Sequence, residues 1–252
     1  MFQGKRVAVT MPAYWAEKTV EKTFRDIPLD IVDDVILVDD ASGDRTSEIS
    51  RSLGIQTHRN EKNLNYGGNV KRCLQLGVDA GADIIILLHP DYQYTPKLIP
   101  AMSAMLATGE YDLCLASRTS GRGALSGGMP IWRYLANWGL TNIMDFCLGT
   151  YHTEYHTGYR AYSRRLLEAV PFHEFRNDFI FDNQMFVAAL RHGFPTCEVT
   201  CPTSYEEDAS SIPFSKALRY GIQCLKLSAS HLGWRVTTKR ERRARGKQAD
   251  HP

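Results

Sequence analysis

The chain has 252 residues, of which 43% are hydrophobic, enough for one large α/β domain with a substantial core. Its formal net charge of +2 is close to neutral, so the bulk composition does not demand nucleic acid as a partner. No stretch reaches the roughly 18 uncharged apolar residues that a membrane-spanning helix needs.

The first half of the chain alternates short apolar strands with helical segments. The run at residues 84–88 is entirely aliphatic, as expected for a central strand covered on both faces. This βαβα order predicts an α/β fold with a mostly parallel, Rossmann-like sheet and helices on both faces. The predicted strands are residues 5–11, 34–38, 55–58, 83–88 and 112–116, and the predicted helices are 17–25, 46–53, 68–80 and 96–107.

The second half is less regular. Four glycines predict a mobile loop at residues 121–128. Residues 129–148 predict an apolar helix with two tryptophans, which is compatible with a core helix or with a helix in a membrane interface. Further on we expect a strand at 158–163, a helix at 182–192 with Asp182 as a cap, and a strand at 196–201.

The C-terminal part changes in character. We expect a catalytic domain over residues 1–213, an amphipathic, membrane-peripheral helix over 214–234, and a basic, disordered tail over 235–252. The six cysteines are scattered, and the first residues lack the apolar core of a signal peptide. We therefore expect a reduced, cytoplasmic protein on the inner face of the cell membrane.

Polar turns follow three of the predicted parallel strands, at residues 12–14, 39–44 and 89–91. The carboxyl ends of parallel strands share one edge, so these turns should converge. Several carboxylates at one edge repel each other unless a cation lies among them. A cation held by one or two carboxylates completes its shell with substrate phosphates, which points to a nucleoside diphosphate ligand.

Other phosphate-binding motifs are missing from the sequence. There is no Gly-x-x-x-x-Gly-Lys-Ser/Thr motif, and the nearest match to a dinucleotide fingerprint, at residues 121–126, lies in the wrong half of the chain. Kinase-like and dehydrogenase functions are therefore disfavoured. A sugar nucleotidyltransferase is also disfavoured, because residues 12–14 replace the glycine-rich, basic turn expected after the first strand.

Several short motifs together resemble one family. Residues 12–14 (PAY), 38–46 (VDDASGDRT), 65–69 (NYGGN), 89–93 (HPDYQ), 116–118 (ASR) and 154–160 (EYHTGYR) occur in the family's order and spacing. The chain resembles glycosyltransferases of family 2, which have the GT-A fold, and most of all the branch that includes dolichyl-phosphate mannose synthase. The resemblance extends from Val7 to about Tyr220.

The resemblance implies roles for particular residues. Asp39 would hold the nucleobase, Arg118 and Arg160 would face phosphate oxygens, and a divalent metal, Mn²⁺ or Mg²⁺, would bridge the donor diphosphate. From this resemblance together with the residues themselves, the candidate catalytic residues are Asp91, Arg160 and Asp182; the candidate metal ligands are Asp91, Gln93 and His89; and the candidate nucleotide-sugar-binding residues are Pro12, Ala13, Tyr14, Glu17, Asp39, Asp40, Ser42, Gly68, His89 and Arg118.

Two positions depart from the family pattern. His89 stands where the first Asp of the metal motif is usual, and it could bind the metal, orient Asp91 or pack. Trp15 and Ala16 stand where Asn and Glu are usual, and Glu17 is the candidate to substitute for that Glu.

The resemblance implies a metal-dependent, inverting transferase that moves a hexose from a GDP- or UDP-linked sugar to a polyprenyl or dolichyl phosphate at the membrane face. An acceptor phosphate is already anionic at pH 7 and needs no base. Two alternatives stay open. One is transfer to a glycan hydroxyl in polysaccharide synthesis, with Asp182 as the base. The other is a sugar-nucleotide binder without catalysis.

Overall fold

A seven-stranded sheet organises the chain. The computed structural model describes residues 1–121, 123–203 and 214–249. The strands are β1 (Val7–Ala13), β2 (Asp34–Asp39), β3 (Gln56–Arg59), β4 (Ile84–Leu87), β5 (Leu113–Ser117), β6 (Arg160–Ser163) and β7 (Thr196–Thr200). The helices are α1 (Val20–Arg25), α2 (Thr46–Ser52), α3 (Asn65–Asp79), α4 (Ile99–Ala107), α5 (Gly123–Ser126), α6 (Ile131–Leu148), α7 (Arg164–Ala169), α8 (Phe181–Arg191) and α9 (Phe214–Ala249), with short 3₁₀ turns at Pro96–Leu98 and Phe172–Glu174.

The strand order in the sheet is β3-β2-β1-β4-β6-β5-β7. Only β6 runs against the others, so the predicted mostly parallel sheet is confirmed. The order reverses between β1 and β4, because β2 and β3 lie on one side of β1 and the later strands lie on the other. In open α/β sheets ligands bind at such a reversal, outside the carboxyl ends of the strands.

Buried apolar residues cover both faces of the sheet. Alternate residues of β4 point to opposite faces, so Ile85 belongs to one core cluster with Val70 of α3. Ile86 belongs to the second cluster, with Ile99 of α4. The central strand therefore has no solvent-facing side, which is why its sequence shows no polar alternation.

Helix α6 is mostly uncovered despite its apolar sequence. Its only buried side chains are those of Thr141, Met144, Cys147 and Leu148. The large apolar side chains left exposed on it are Ile131, Trp132, Leu135, Trp138, Ile143 and Phe146. The prediction of a core helix at residues 129–148 therefore applies only to the edge of α6 that packs near α9.

Three segments have a local structure that was not predicted. Residues 123–126 of the predicted mobile loop form α5. Helix α9 extends to Ala249, so residues 235–249 continue the helix predicted for 214–234, and 250–252 lie outside the described residues. The cap prediction for Asp182 is wrong, because Ile180 precedes the first residue of α8 and Asp182 lies within its first turn.

The six cysteines are free and buried. Within the described ranges, no helix combines the length and the apolar character required to span a bilayer.

A close approach at Gly67 gives a testable prediction about stability. A Cβ at Gly67 would lie 2.6 Å from the carbonyl oxygen of Arg176 and 2.9 Å from the carbonyl carbon of Asn177. We expect Gly67→Ala to lower the free energy of unfolding by about 1–3 kcal/mol, because backbone cannot move aside easily. In the control, Gly139→Ala in α6, the added Cβ meets no atom within 4 Å. Urea denaturation checks both, and equal stabilities for the two variants would contradict the prediction.

Candidate active site

A cleft of about 970 Å³ opens at the carboxyl ends of β1, β2 and β4. It lies at the reversal of strand order, as the convergence of the three polar turns predicted. The predicted site residues that line it are Pro12, Ala13, Tyr14, Glu17, Asp40, His89 and Asp91. The other predicted site residues are buried and are not among the described residues that line it: Asp39, Ser42, Gly68, Gln93, Arg118, Arg160 and Asp182.

Hydrogen bonds join the loop after β1 to the loop after β2. The backbone N–H of Trp15 donates to Oγ of Ser42 at 2.9 Å, and that of Ala16 donates to Oγ1 of Thr46 at 2.8 Å. Trp15 has a φ of 56°, a left-handed conformation that a bulky residue adopts only when its surroundings hold it there. Ser42 therefore shapes the cleft by fixing the loop that bears Tyr14 and Trp15.

The two acids at the end of β2 face different surroundings. Asp39 is buried, and its carboxylate accepts hydrogen bonds from the backbone N–H of Ser42, at 3.0 Å, and from the hydroxyl of Ser47. Asp40 lines the cleft, and its Oδ1 accepts from Nδ2 of Asn60 at 2.7 Å. The nucleobase role of Asp39 stays a prediction, and Asp40 is the acid that reaches the cleft surface.

His89 is held in a stack at the end of β4. Its ring is parallel to that of Tyr66, with centroids 5.5 Å apart and an interplanar angle of 3°. A Cβ at position 158 would lie 2.5 Å from Nε2 of His89, so only Gly158 leaves room for the imidazole. His89 lines the cleft while its ring is packed from two sides.

Asp182 lies behind Tyr66. Oδ2 of Asp182 accepts a hydrogen bond from the Tyr66 hydroxyl at 2.6 Å, and Oδ1 is buried with no hydrogen-bond partner among the described residues. The pKa of Tyr66 is raised well above its ordinary value, mainly by burial and secondly by the charge of the Asp182 carboxylate. The phenol therefore stays protonated and donates to the carboxylate, which separates Asp182 from the cleft.

Arg160 is fully buried in β6 and its guanidinium group donates to backbone carbonyls. Nη1 donates to Asp182 at 2.7 Å, Nη2 to Tyr155 at 2.8 Å, and Nε to Thr157 at 2.9 Å. Burial by itself lowers the pKa of Arg160, but the carboxylate of Asp182 and the nearby tyrosines together outweigh it, so the pKa is raised overall. The contacts of Arg160 are therefore structural, and contact with a phosphate stays a prediction.

Arg118 follows β5 and pairs with buried Glu154. Its Nε donates to Oε1 of Glu154 at 2.8 Å, and its backbone N–H donates to Oε2 at 2.7 Å. Its Nη2 also donates to the carbonyl oxygen of His156 at 3.1 Å. Like Arg160, Arg118 is hydrogen-bonded to the loop of residues 153–158, which lies beneath the cleft.

The donors available to a metal ion are few. Asp91 and His89 both line the cleft, and Oδ1 of Asp91 also accepts from the backbone N–H of Gln93 at 3.1 Å. In the part of the chain that the structure describes, no group of three or more His, Cys, Asp or Glu side chains is arranged to hold a metal. One carboxylate and one imidazole fit a metal that takes its remaining ligands from substrate phosphates and water.

The sequence profile described as Glycosyl transferase family 2 matches residues 8–170, more than half of the chain. The chain belongs to this family. It is a glycosyltransferase, as the motifs predicted.

Curated relatives agree with this assignment. A UDP-N-acetylglucosamine–dolichyl-phosphate N-acetylglucosaminyltransferase of Methanococcus voltae is 24% identical over 81% of this chain and 87% of its own length. A dolichyl-phosphate hexose transferase of Haloferax volcanii is 26% identical over 88% of this chain and 93% of its own length. These relatives are dolichyl-phosphate transferases by name, which agrees with the branch of the family that the sequence motifs resemble.

Solved structures confirm the GT-A fold. The crystal structure of glucosyl-3-phosphoglycerate synthase from Mycobacterium tuberculosis with Mn²⁺, UDP and glucosyl-3-phosphoglycerate matches with a TM-score of 0.65 at 20% identity. The match covers 91% of this chain and 81% of that chain.

The far wall of the cleft in this glycosyltransferase was not predicted from sequence. It is formed by the segment before α8 and by the first turns of α9, through residues Arg176, Asn177, Asp178, Phe179, Arg219, Tyr220 and Gln223. The one residue that could have indicated this wall from sequence was Gly67. Because it has no side chain, α3 approaches the segment before α8 closely, and the backbone N–H of Gly67 donates to the carbonyl oxygen of Asn177 at 2.9 Å.

The buried pair of Arg118 and Glu154 gives a second prediction. Removing the carboxylate leaves a buried guanidinium without its counter-charge, so we expect Glu154→Ala to cost about 3–5 kcal/mol in the free energy of unfolding. The control is Glu168→Ala, which removes the exposed partner of Arg164 in α7 and should cost less than about 1 kcal/mol. Chemical denaturation measures both, and a small loss for Glu154→Ala would refute the structural role given to the pair.

Proposed function

We propose that this family 2 glycosyltransferase is a metal-dependent, inverting enzyme that transfers a hexose from a nucleotide-diphosphate sugar to a polyprenyl phosphate at a membrane surface. The observation that carries the proposal is the composition of the cleft at the sheet edge. On one side it has the acidic turns after β2 and β4, and on the other side it has α9, a helix that also carries exposed apolar residues.

The acidic side suits the donor. Asp91 would hold the metal, with His89 beside it and Gln93 supporting the turn, and the bound metal would act as a Lewis acid on the leaving diphosphate. Asp40 and Glu17 line the same side, where the nucleoside would lie. The solved structures of the M. tuberculosis synthase with Mn²⁺ or Mg²⁺ and UDP support a divalent metal and a nucleoside diphosphate in a fold of this type.

The position of Asp182 supports a phosphate acceptor. A hydroxyl acceptor needs a base within hydrogen-bond reach, but the Tyr66 hydroxyl occupies Oδ2 of Asp182 and neither oxygen reaches the cleft. A phosphate monoester is already anionic at pH 7. Its oxygen would attack the anomeric carbon as the bond to the diphosphate breaks, which inverts the configuration and yields a glycosyl phosphate and a nucleoside diphosphate. The names of the two dolichyl-phosphate relatives point to the same acceptor class.

Exposed apolar residues support contact with a lipid bilayer. Helices α6 and α9 pack together, and both leave large apolar side chains in solvent. We define the apolar α6–α9 surface as Ile131, Trp132, Leu135, Trp138, Ile143 and Phe146 of α6 with Leu218, Ile222 and Leu225 of α9. Tryptophans favour the membrane interface, and the basic sequence at 235–247 would add attraction to anionic headgroups.

The acceptor assignment can be tested by radiolabelled transfer. With Mn²⁺ and a panel of UDP- and GDP-hexoses, we expect label to enter polyprenyl phosphate. Asp182→Asn removes the carboxylate near buried Arg160 and should lower the thermal midpoint, but its folded fraction should retain activity within about 10-fold, because no base is required, whereas loss of a base would cost about 10²–10⁴-fold. Asp91→Asn should lose about 100-fold or more, since it removes the metal carboxylate.

The control for charge removal is Asp30→Asn, at an exposed position outside the cleft, which should retain full activity. Glycosylation of a soluble sugar instead of polyprenyl phosphate, combined with a large loss in Asp182→Asn, would overturn the proposal in favour of a glycan hydroxyl acceptor.

Membrane contact can be tested by flotation with liposomes that contain anionic lipid. Trp138 and Phe146 are 60% and 76% exposed, so Trp138→Glu and Phe146→Glu should fold normally and reduce the bound fraction several-fold. The matched control, Leu29→Glu, alters an apolar residue that is 55% exposed elsewhere on the surface and should float like the original chain. If Trp138→Glu and Phe146→Glu float unchanged but no longer self-associate in size-exclusion chromatography, the apolar α6–α9 surface is an interface between two copies of the chain instead.

A further inference from the structure

The two walls of the cleft differ in charge. The wall at the sheet edge carries the carboxylates of Asp40, Asp44 and Asp91. The opposite wall carries the guanidinium groups of Arg176 and Arg219. A transferase that joins two phosphate-bearing substrates has to bind the second phosphate away from these carboxylates, so the cationic wall is the suitable place for it.

The two arginines are not equivalent. Arg176 donates to the carboxylate of Asp178, with Nη2 at 3.0 Å from Oδ2, and this oxygen also accepts from Nε2 of Gln223 at 3.0 Å. Burial would raise the pKa of Asp178, but these hydrogen bonds lower it overall, so the carboxylate stays charged and balances Arg176. Arg219 is exposed and forms no ion pair or hydrogen bond with another described residue, so its charge is left for an incoming anion.

Neighbouring contacts fix the helix that bears Arg219. The Tyr220 hydroxyl accepts a hydrogen bond from Nδ2 of Asn183 at 2.6 Å and lies 2.9 Å from Nδ1 of His156. Burial lowers the pKa of His156 to about 4, so this imidazole is neutral and does not compete with Arg219 for an anion. The first turns of α9 are thus anchored against α8 and the loop before β6, which keeps Arg219 at the cleft.

The same turns of α9 carry two adjacent stripes of side chains. Residues four apart lie on one face of a helix, so Arg219 and Gln223 form the stripe that lines the cleft. Leu218 and Ile222 form the next stripe, about 100° around the helix, and both are exposed. An amphiphile with an anionic head and an apolar tail would contact both stripes at once, with its head in the cleft.

We infer that Arg219 is an acceptor-binding residue, which holds a phosphate monoester in the cleft while Leu218 and Ile222 contact the first isoprene units of the attached lipid. Arg176 lies beside it as a second guanidinium group. This inference rests on the proposed function, because it names where the acceptor of that reaction binds.

Binding without turnover tests the subsite directly. Farnesyl monophosphate is titrated into the full chain by calorimetry in the absence of donor. A hydrogen bond to a charged group is strong enough that Arg219→Gln should weaken binding about 10-fold or more. Farnesol, which lacks the phosphate, should bind the original chain and this variant equally. The control is Lys226→Gln, which removes an exposed cation on α9 outside the cleft and should leave binding unchanged.

A second set of titrations distinguishes a lipid phosphate from a soluble phosphate as the ligand of this subsite. 3-Phosphoglycerate has the phosphate without an apolar tail and should bind the original chain at least about 10-fold more weakly than farnesyl monophosphate. Leu218→Ser should weaken farnesyl monophosphate and leave 3-phosphoglycerate unchanged. Equal affinities for the two ligands would overturn the lipid assignment, and unchanged farnesyl phosphate binding in Arg219→Gln would overturn the subsite itself.

The transfer assay distinguishes this inference from the proposed function. If sugar transfer to polyprenyl phosphate proceeds with an unchanged KM for the acceptor in Arg219→Gln, the subsite is wrong and the function stands. If Arg219→Gln weakens farnesyl monophosphate but the original chain transfers no sugar to polyprenyl phosphate, the subsite stands and the proposed function is wrong. Equal thermal midpoints for the original chain, Arg219→Gln and Lys226→Gln would establish that the variants are folded.

Discussion

The buried guanidinium group of Arg160 is the constraint on which the site depends. A charge with no exposure to solvent needs hydrogen-bond partners, and each guanidinium nitrogen of Arg160 donates to a backbone carbonyl, while the charge of the Asp182 carboxylate lies nearby. These contacts tie the loop before β6 to the first turn of α8. They therefore help to hold together, beneath the cleft, two segments that are distant in sequence.

A chain of contacts connects this buried centre to the cleft surface. Asp182 accepts from Tyr66, and Tyr66 stacks on His89 at the end of β4, next to Asp91. The imidazole of His89 therefore continues the stack of aromatic rings from Tyr66 to the edge of the proposed metal site. This explains how a histidine can stand where the family usually has an aspartate, because the stack provides a contact that a short carboxylate could not make.

The general layout of the site could be predicted from sequence, whereas the burial of its charged residues could not. Aliphatic strands followed by polar turns define a sheet edge, so the convergence of residues 12–14, 39–44 and 89–91 follows from topology. The sequence shows that Arg118 and Arg160 are charged, but not that Glu154 and backbone carbonyls surround them. Arg219 was missed because it reaches the cleft from α9, far along the chain and outside the family motifs.

The central claim is that this cleft binds a nucleoside diphosphate through a metal held by Asp91. A crystal structure of the chain with Mn²⁺ and UDP or GDP, with an anomalous difference map for manganese, tests it most directly. The account predicts one manganese peak in direct coordination with a carboxylate oxygen of Asp91 and with the diphosphate, and a nucleoside on the side of Asp40. A nucleotide bound outside the cleft, or a manganese peak remote from Asp91, would contradict it.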